Sequence, residues 1–170
     1  MKSRNPASQW KPVQRCNHVP TEAFQAMIKH FDHVTLCVRD LDAAIAFFGL
    51  LGFEVDKAVV IAGEPFSGYM GVPDMEADHV TLAVPGTAPR FEVQILHYRR
   101  PEALDDELIA RLDKLGFNHI CFAVDDAGAI VEHLKSHGVE VRSELSDFHN
   151  RRLFFVTGPE GVTIELAQWS

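Results

Sequence analysis

Apolar and polar residues alternate through Phe31–Val38, then recur at helical spacing from Leu41 to Leu51, and Gly52 closes the run ahead of Phe53-Glu-Val55. The order returns downstream. Phe117–Val124 alternates, a helical stretch runs from Asp126 to His137, and Gly138 precedes Val139-Glu-Val141. A period of two marks a strand and a period near 3.6 a helix, so each stretch is a βα unit. His33 to Gly52 and His119 to Gly138 are both 19 residues, without a gap. That register makes the two units copies of one another.

A βα unit buries its open face only with further strands. In the first copy the pattern predicts them at Glu54–Ile61, His79–Val84 and Phe91–Leu96, with Pro85-Gly-Thr-Ala-Pro89 as a turn. In the second it predicts Val139–Leu145, Arg152–Val156 and Val162–Ala167, the last two joined by Thr157-Gly-Pro-Glu-Gly161. Both copies therefore read as βαβββ, an α+β chain. The organisation expected is an arm over residues 1–29, a first module over 30–100, a linking helix over 101–116 and a second module over 117–170. In the arm, Thr21 is placed to cap a helix presenting Phe24, Met27 and Ile28. In the linker, Leu104, Leu108, Leu112 and Leu115 recur at helical spacing, with acidic residues early and Arg111 and Lys114 late. The first module is longer: His33 to Gln94 spans 61 residues, His119 to Glu165 only 46. The excess falls in 61–77, either a loop over a pocket or an ordinary insertion.

The chain has 170 residues, 46% of them hydrophobic, enough for a core. A formal charge of −8 with no basic run excludes a nucleic-acid or anionic-membrane surface. No apolar stretch approaches the roughly 20 residues a spanning helix needs, and no secretory apolar region follows the N-terminal charges. Cys16, Cys37 and Cys121 lack CxxC spacing, which argues against a disulfide framework or a zinc–thiolate knuckle. A cytoplasmic setting is the expectation, with Cys37 and Cys121 as buried thiols inside apolar strands.

Alternation puts His33, Thr35 and Cys37 on one face of their strand and Val34, Leu36 and Val38 on the other, under the helix. His119 likewise faces away from Ile120, Phe122 and Val124. On the last strand of each module, Gln94 and Glu165 are polar among apolar alternates. Any one of these side chains alone would read as a hydrogen-bonded polar group of the core. Four at matching places, His33, Gln94, His119 and Glu165, converge if the modules pair about a pseudo-twofold axis. Two imidazoles, a carboxylate and an amide oxygen without thiolate suit one divalent ion such as Mn, Fe, Co, Ni or Zn. Asp40, Asp42, Asp125 and Asp126 stand at helix starts, where capping explains them.

Asp32-His33-Val-Thr-Leu-Cys-Val-Arg-Asp-Leu41, Val93-Gln94-Ile-Leu-His-Tyr98, Gly116-Phe-Asn-His119-Ile-Cys-Phe122 and Gly158-Pro-Glu-Gly-Val-Thr-Ile-Glu165-Leu together resemble the vicinal oxygen chelate superfamily. That group includes glyoxalase I, methylmalonyl-CoA epimerase, extradiol dioxygenases and the bleomycin and fosfomycin resistance proteins. The resemblance runs from residue 31 to about 168. It implies two paired βαβββ modules forming a cupped mixed sheet, and puts the four metal positions on His33, Gln94, His119 and Glu165. A His, Gln, His, Glu set looks most like the epimerase. The implied reaction on a small-molecule substrate is lyase or isomerase chemistry: proton abstraction next to a metal-held carbonyl, through a metal-stabilised enolate. By likeness to glyoxalase I, Glu165 would also be the base.

An epimerase needs a second acid/base group, in that family a glutamate on a middle strand. Here that strand reads Asp78-His79-Val-Thr-Leu-Ala-Val84, and His79 takes the place, ahead of Glu76. The first alternative is an Fe(II) extradiol-type dioxygenase using His33, His119 and Glu165, against which Phe155 and Gly158 stand where that family has a tyrosine and an acidic residue. The second is an antibiotic-binding resistance protein on the same fold. Arg151 and Arg152 adjoin the cleft, either as partners for a substrate carboxylate or phosphate or as solvated strand-end residues. The resemblance also implies a homodimer, with each site either within one chain or shared between two.

Overall fold

Asp40 and Asp126 start the two principal helices of the computed structural model, each accepting a hydrogen bond from the backbone N–H three residues on, of Ala43 and Ala129. Such a cap contributes about 1 kcal/mol. The model describes residues 28–170. Of the expected arm, residues 1–27, with the helix from Thr21 and Cys16, lie outside the described residues. Phe31–Ser170 form one compact unit.

The first module runs β1 (His33–Cys37), α1 (Leu41–Leu50), β2 (Glu54–Ala62), α2 (Phe66–Met70), β3 (Glu76–Ala83) and β4 (Glu92–Arg100). The second runs β5 (Ile120–Ala123), α3 (Ala127–Ser136), β6 (Ser146–Phe148), β7 (Arg151–Thr157) and β8 (Thr163–Trp169), with a 3₁₀ turn at Pro159–Gly161. Each makes a four-stranded mixed sheet. The orders are β1-β4-β3-β2 and β5-β8-β7-β6, parallel at the first pair and antiparallel elsewhere. The two βαβββ copies are thus present, each hydrogen-bonded within its own sheet.

Gly52 and Gly138 end the helices at φ +88° and +77°, a backbone region that costs a residue with a Cβ. Phe53 N–H then donates to Phe48 O, and Val139 N–H to Leu134 O, the same reach of five residues in both copies. α1 buries Ala44 and Phe48, and α3 buries Ala127, Val131 and Leu134. The helix-side residues of both sheets, among them Leu36, Val80, Val93, Phe154, Ile164 and Leu166, join a single apolar core. Phe53 and Phe91 of the first module meet Phe122 of the second at 5.6 and 5.9 Å between ring centroids. With the helix sides turned toward this core, the opposite faces turn outward: His33, Thr35 and Cys37 are all exposed.

Three expectations change. Residues 101–116 form turns, not a linking helix. Leu104 and Leu115 are almost fully exposed and have no surface to pack on. Asp106 instead takes the Leu108 N–H and the Lys114 ammonium, and Asp105 takes Arg39. Short acidic side chains that bond nearby groups compete with helix formation. Second, 139–145 makes only a bridge, Val141 to Val156, and the paired strand comes later, at Ser146–Phe148. Third, Cys37 and Cys121 are exposed, because they share the outward faces.

The extra length of the first module forms α2 and a turn that packs onto its outward face. Met75 and Ala77 are fully buried there against Leu96, beside Ile61, Val72 and Tyr98. No described helix is long and apolar enough to cross a membrane.

Candidate metal centre on the outward sheet faces

β5 and β8 place His119 and Glu165 together. Their Nε2 and Oε2 are 2.8 Å apart, and the carboxylate is buried, with the residue 6% exposed. The imidazole also meets the ring of Phe155, the cross-strand neighbour of Glu165, in a T-shaped contact with 5.6 Å between centroids. On the other side of the ring, Nδ1 is 2.7 Å from Asn118 Oδ1. Asn118 cannot be turned round, because its Nδ2 donates to the Leu112 carbonyl. Nδ1 is therefore a donor. Nε2 faces a carboxyl oxygen, so a proton or a cation must lie between the two. Cys121, paired with Glu165 in the sheet register, has its thiol pKa pushed up to about 11 by partial burial and by that carboxylate.

β1, β3 and β4 build the matching face. Parallel register sets Thr35 beside Gln94, as Cys121 is set beside Glu165, so Gln94 and Glu165 hold equivalent places. His33 Nδ1 is 2.7 Å from Asp32 Oδ2, an arrangement that makes Nδ1 the donor, so that in the neutral ring Nε2 carries the lone pair. Gln94 is fixed at both ends. Its Nε2 donates to Glu92 Oε2 at 2.9 Å, and its Oε1 lies 3.1 Å from His79 Nε2. Glu92 is in turn held by Arg90, which also grips Asp56. Since Oε1 can only accept, His79 must donate from Nε2, and a neutral His79 keeps its free lone pair on Nδ1.

The structure thus brings His119 to Glu165 and Gln94 to His79, and sets His33 on the strand next to Gln94. Among the described residues, no three of His, Cys, Asp and Glu converge closely enough to hold one ion. One chain presents two half-sets, one on each outward face. A cleft of about 1170 Å³ is lined by both His33 and His119, with Phe53, Phe91 and Phe122. Gln94, His79 and Glu165 are absent from its wall, so this apolar groove is not the candidate centre.

The half-sets fit a divalent ion. Imidazoles that ligate metals usually donate their second nitrogen to an oxygen, which fixes the ring and raises its basicity. Asp32 and Asn118 do this for His33 and His119, one residue before each histidine. Glu165 Oε2 and Gln94 Oε1 add oxygen donors without thiolate, a borderline-hard set. Sequence reasoning missed Asp32, Asn118 and Glu92 as supports. Their signals were present: a carbonyl or carboxylate oxygen before each repeated histidine, and a carboxylate one strand period before Gln94.

Comparison with known proteins identifies the family of the chain. A family profile for the Glyoxalase/Bleomycin resistance protein/Dioxygenase superfamily matches residues 30–166. The lactoylglutathione lyase of Pseudomonas putida is 29% identical over 151 residues, covering 81% of this chain and 84% of that protein. The ethylmalonyl-CoA/methylmalonyl-CoA epimerase of Cereibacter sphaeroides is 31% identical over 119 residues, covering 68% and 75%. Over 55 residues the chain is 42% identical to glyoxalase I of Saccharomyces cerevisiae, spanning 17% of that protein's length. Among solved structures, a glyoxalase family protein from Bacillus cereus superposes with a TM-score of 0.77 at 25% identity, covering 86% of this chain and 97% of that one.

Proposed function

The chain belongs to the Glyoxalase/Bleomycin resistance protein/Dioxygenase superfamily, and from that premise we propose that it is a divalent-metal-dependent lyase or isomerase of the glyoxalase or epimerase type. One observation carries the reading. His119, with Nδ1 held by Asn118, points Nε2 at the buried Glu165 carboxyl group, an arrangement that a divalent ion between the two would satisfy. His33, Gln94, His119 and Glu165 would hold the ion. When bound, it would supply Lewis-acid stabilisation of negative charge on a substrate carbonyl oxygen, making the adjacent C–H more acidic.

Glu165 would take the carbon-bound proton. Packed under Phe155 and Cys121, it is shielded from water, which favours proton transfer over solvation. His79, donating from Nε2 to Gln94 and carrying its lone pair on Nδ1, would serve as the second proton-transfer group. The half-sets are completed by a second copy of the chain, giving a homodimer with two shared centres. Support comes from the open state of both faces, where Val59, opposite His79, and Trp169 are exposed. Apolar side chains on a sheet face ordinarily find cover.

The test begins with elemental analysis of the purified protein and refilling of the stripped protein with Zn, Ni, Co, Mn or Fe. Each form is then offered the hemithioacetal of methylglyoxal and glutathione, or methylmalonyl-CoA, in deuterium oxide. We expect deuterium at the carbon next to the carbonyl with at least one ion, and none in the stripped protein. Exchange that is equal with and without metal would sink the proposal.

A further inference from the structure

We infer that Arg151, stacked on Trp169, is an anion-binding subsite, and that the substrate of the Glu165 face is a carbonyl compound ending in a carboxylate or phosphate. This rests on the reading that this face receives the substrate. Residues directly opposite in an antiparallel pair, and alternate residues along a strand, share a face. Arg151 pairs with Trp169 and Phe155 with Glu165, so Arg151, Phe155, Glu165 and Trp169 lie on one side of the sheet. The Arg151 guanidinium carbon stands 4.8 Å from the Trp169 ring centroid.

What sets Arg151 apart is that no counter-charge meets it among the described residues. Of the eight described arginines, Arg39, Arg90, Arg99, Arg100, Arg111 and Arg152 each meet a carboxylate. Arg142 meets the Thr163 hydroxyl and the Ala110 carbonyl. Among the described residues Arg151 meets neither kind of group, and its Nε is buried with no hydrogen-bond partner. Leaving a buried donor of a charged group unsatisfied is costly, and an arriving oxyanion would relieve the charge. Its neighbour in sequence, Arg152, is a contrast: exposed, opposite Gln168, and held by Asp147 at 3.7 Å.

The spacing bounds the ligand. Arg151 lies four residues along β7 from Phe155, so the anionic end sits on the order of 13 Å from the carbon that Glu165 addresses. An extended substrate with its charge several bonds from the reacting carbonyl fits this. A compact one such as a bare 2-oxo aldehyde would leave Arg151 empty.

Trp169 is the reporter, since the chain has only two tryptophans and Trp10→Phe leaves it alone. Succinate, inorganic phosphate and the neutral control succinamide are titrated into metal-stripped Trp10→Phe protein while its fluorescence is followed. A saturable change with succinate or phosphate and none with succinamide is expected, and the tighter anion identifies the terminus. Adding Arg151→Gln should weaken that binding at least about tenfold, and Arg151→Lys about threefold. The inference falls if neither anion gives saturation, or if Arg151→Gln titrates like its parent. Should Arg151→Gln lose the native near-ultraviolet circular dichroism, Arg151→Lys decides: weakening upholds the subsite and unchanged affinity overturns it. No metal or turnover enters the measurement, so it stands or falls apart from the catalytic proposal.

Discussion

In the first module the side chain at the key place on the last strand is a neutral amide, Gln94, pinned between Glu92 and His79. In the second it is a carboxylate, Glu165, pressed against His119. The frames are otherwise copies, down to the capping aspartates and the closing glycines. By register His79 corresponds to Leu153, and Glu92 to the buried Thr163. The difference follows from the donors. A carboxylate has two equal oxygens and needs no help to present one. An amide has one useful oxygen and one useless nitrogen, so something must choose between its two orientations, and Glu92 does. The charged module is therefore the natural anchor for a cation, while the neutral one is tuned by its surroundings.

The most severe way to break this asymmetry is Glu165→Gln, which makes the second module resemble the first in charge. Shape is nearly kept, but the base and the anionic donor both go. Deuterium exchange should fall about a thousandfold, and calorimetric titration with the activating ion should show weaker binding than for Gln94→Glu, which adds charge to the other half. A Glu165→Gln protein of native activity would end the assignment of Glu165 as base.

Much of this was legible because it is local. Strand and helix periods, Asp40 and Asp126 as caps, and Gly52 and Gly138 as stops are all decided within a few residues, so the duplicated βα frame could be read directly. The four candidate ligands followed from alternation, which fixes the face of a strand but not what covers it. Whether a face is covered depends on how the modules pack. That is why Cys37 and Cys121 were expected inside and lie outside. The linker failed for a different reason. Leu104, Leu108, Leu112 and Leu115 satisfy helical spacing, yet no apolar surface awaits them, and Asp106 is taken by Leu108 and Lys114. Nor could Arg151 be told from Arg152 before the register of β7 was known.

Cys121 measures the field of the charged half. With its pKa pushed up to about 11, it stays a thiol at neutral pH although it is exposed. At pH 8 the thiolate fraction is about a hundredfold below that of a thiol titrating near 9. Alkylation by iodoacetamide, mapped by mass spectrometry, should accordingly be far slower at Cys121 in the folded protein than in the unfolded one, and should quicken as pH rises toward 11. Glu165→Gln should restore part of the rate. Unaltered alkylation in that variant would show that the carboxylate is not a cause.

Glu92→Gln tests the tuned half. The variant no longer obliges Gln94 to donate, so the amide can turn and His79 loses the acceptor that fixes its proton. Metal affinity should drop about tenfold, the scale on which such supporting bonds act. Nitrogen-15 spectra of histidine-labelled protein at a pH where His79 is neutral should show it passing from the Nε2–H form to a mixture. Affinity and spectra both identical to the parent would leave Glu92 a surface partner of Arg90 and nothing more.

The smallest effect is the most telling about how the halves combine. His33→Ala and His119→Ala proteins, each damaged in a different module, should both be inactive alone. If every centre takes one face from each of two chains, a mixed dimer contains one doubly damaged centre and one that is wholly intact. Half the dimers in an equimolar, fully exchanged mixture are mixed, and each has one working centre of two, so activity should return to about a quarter of the native value, within fourfold of it. Centres built within a single chain would return none, because every chain in the mixture carries a lesion. Recovery on mixing would therefore join the two unlike faces across chains, and its absence would require them to meet inside one.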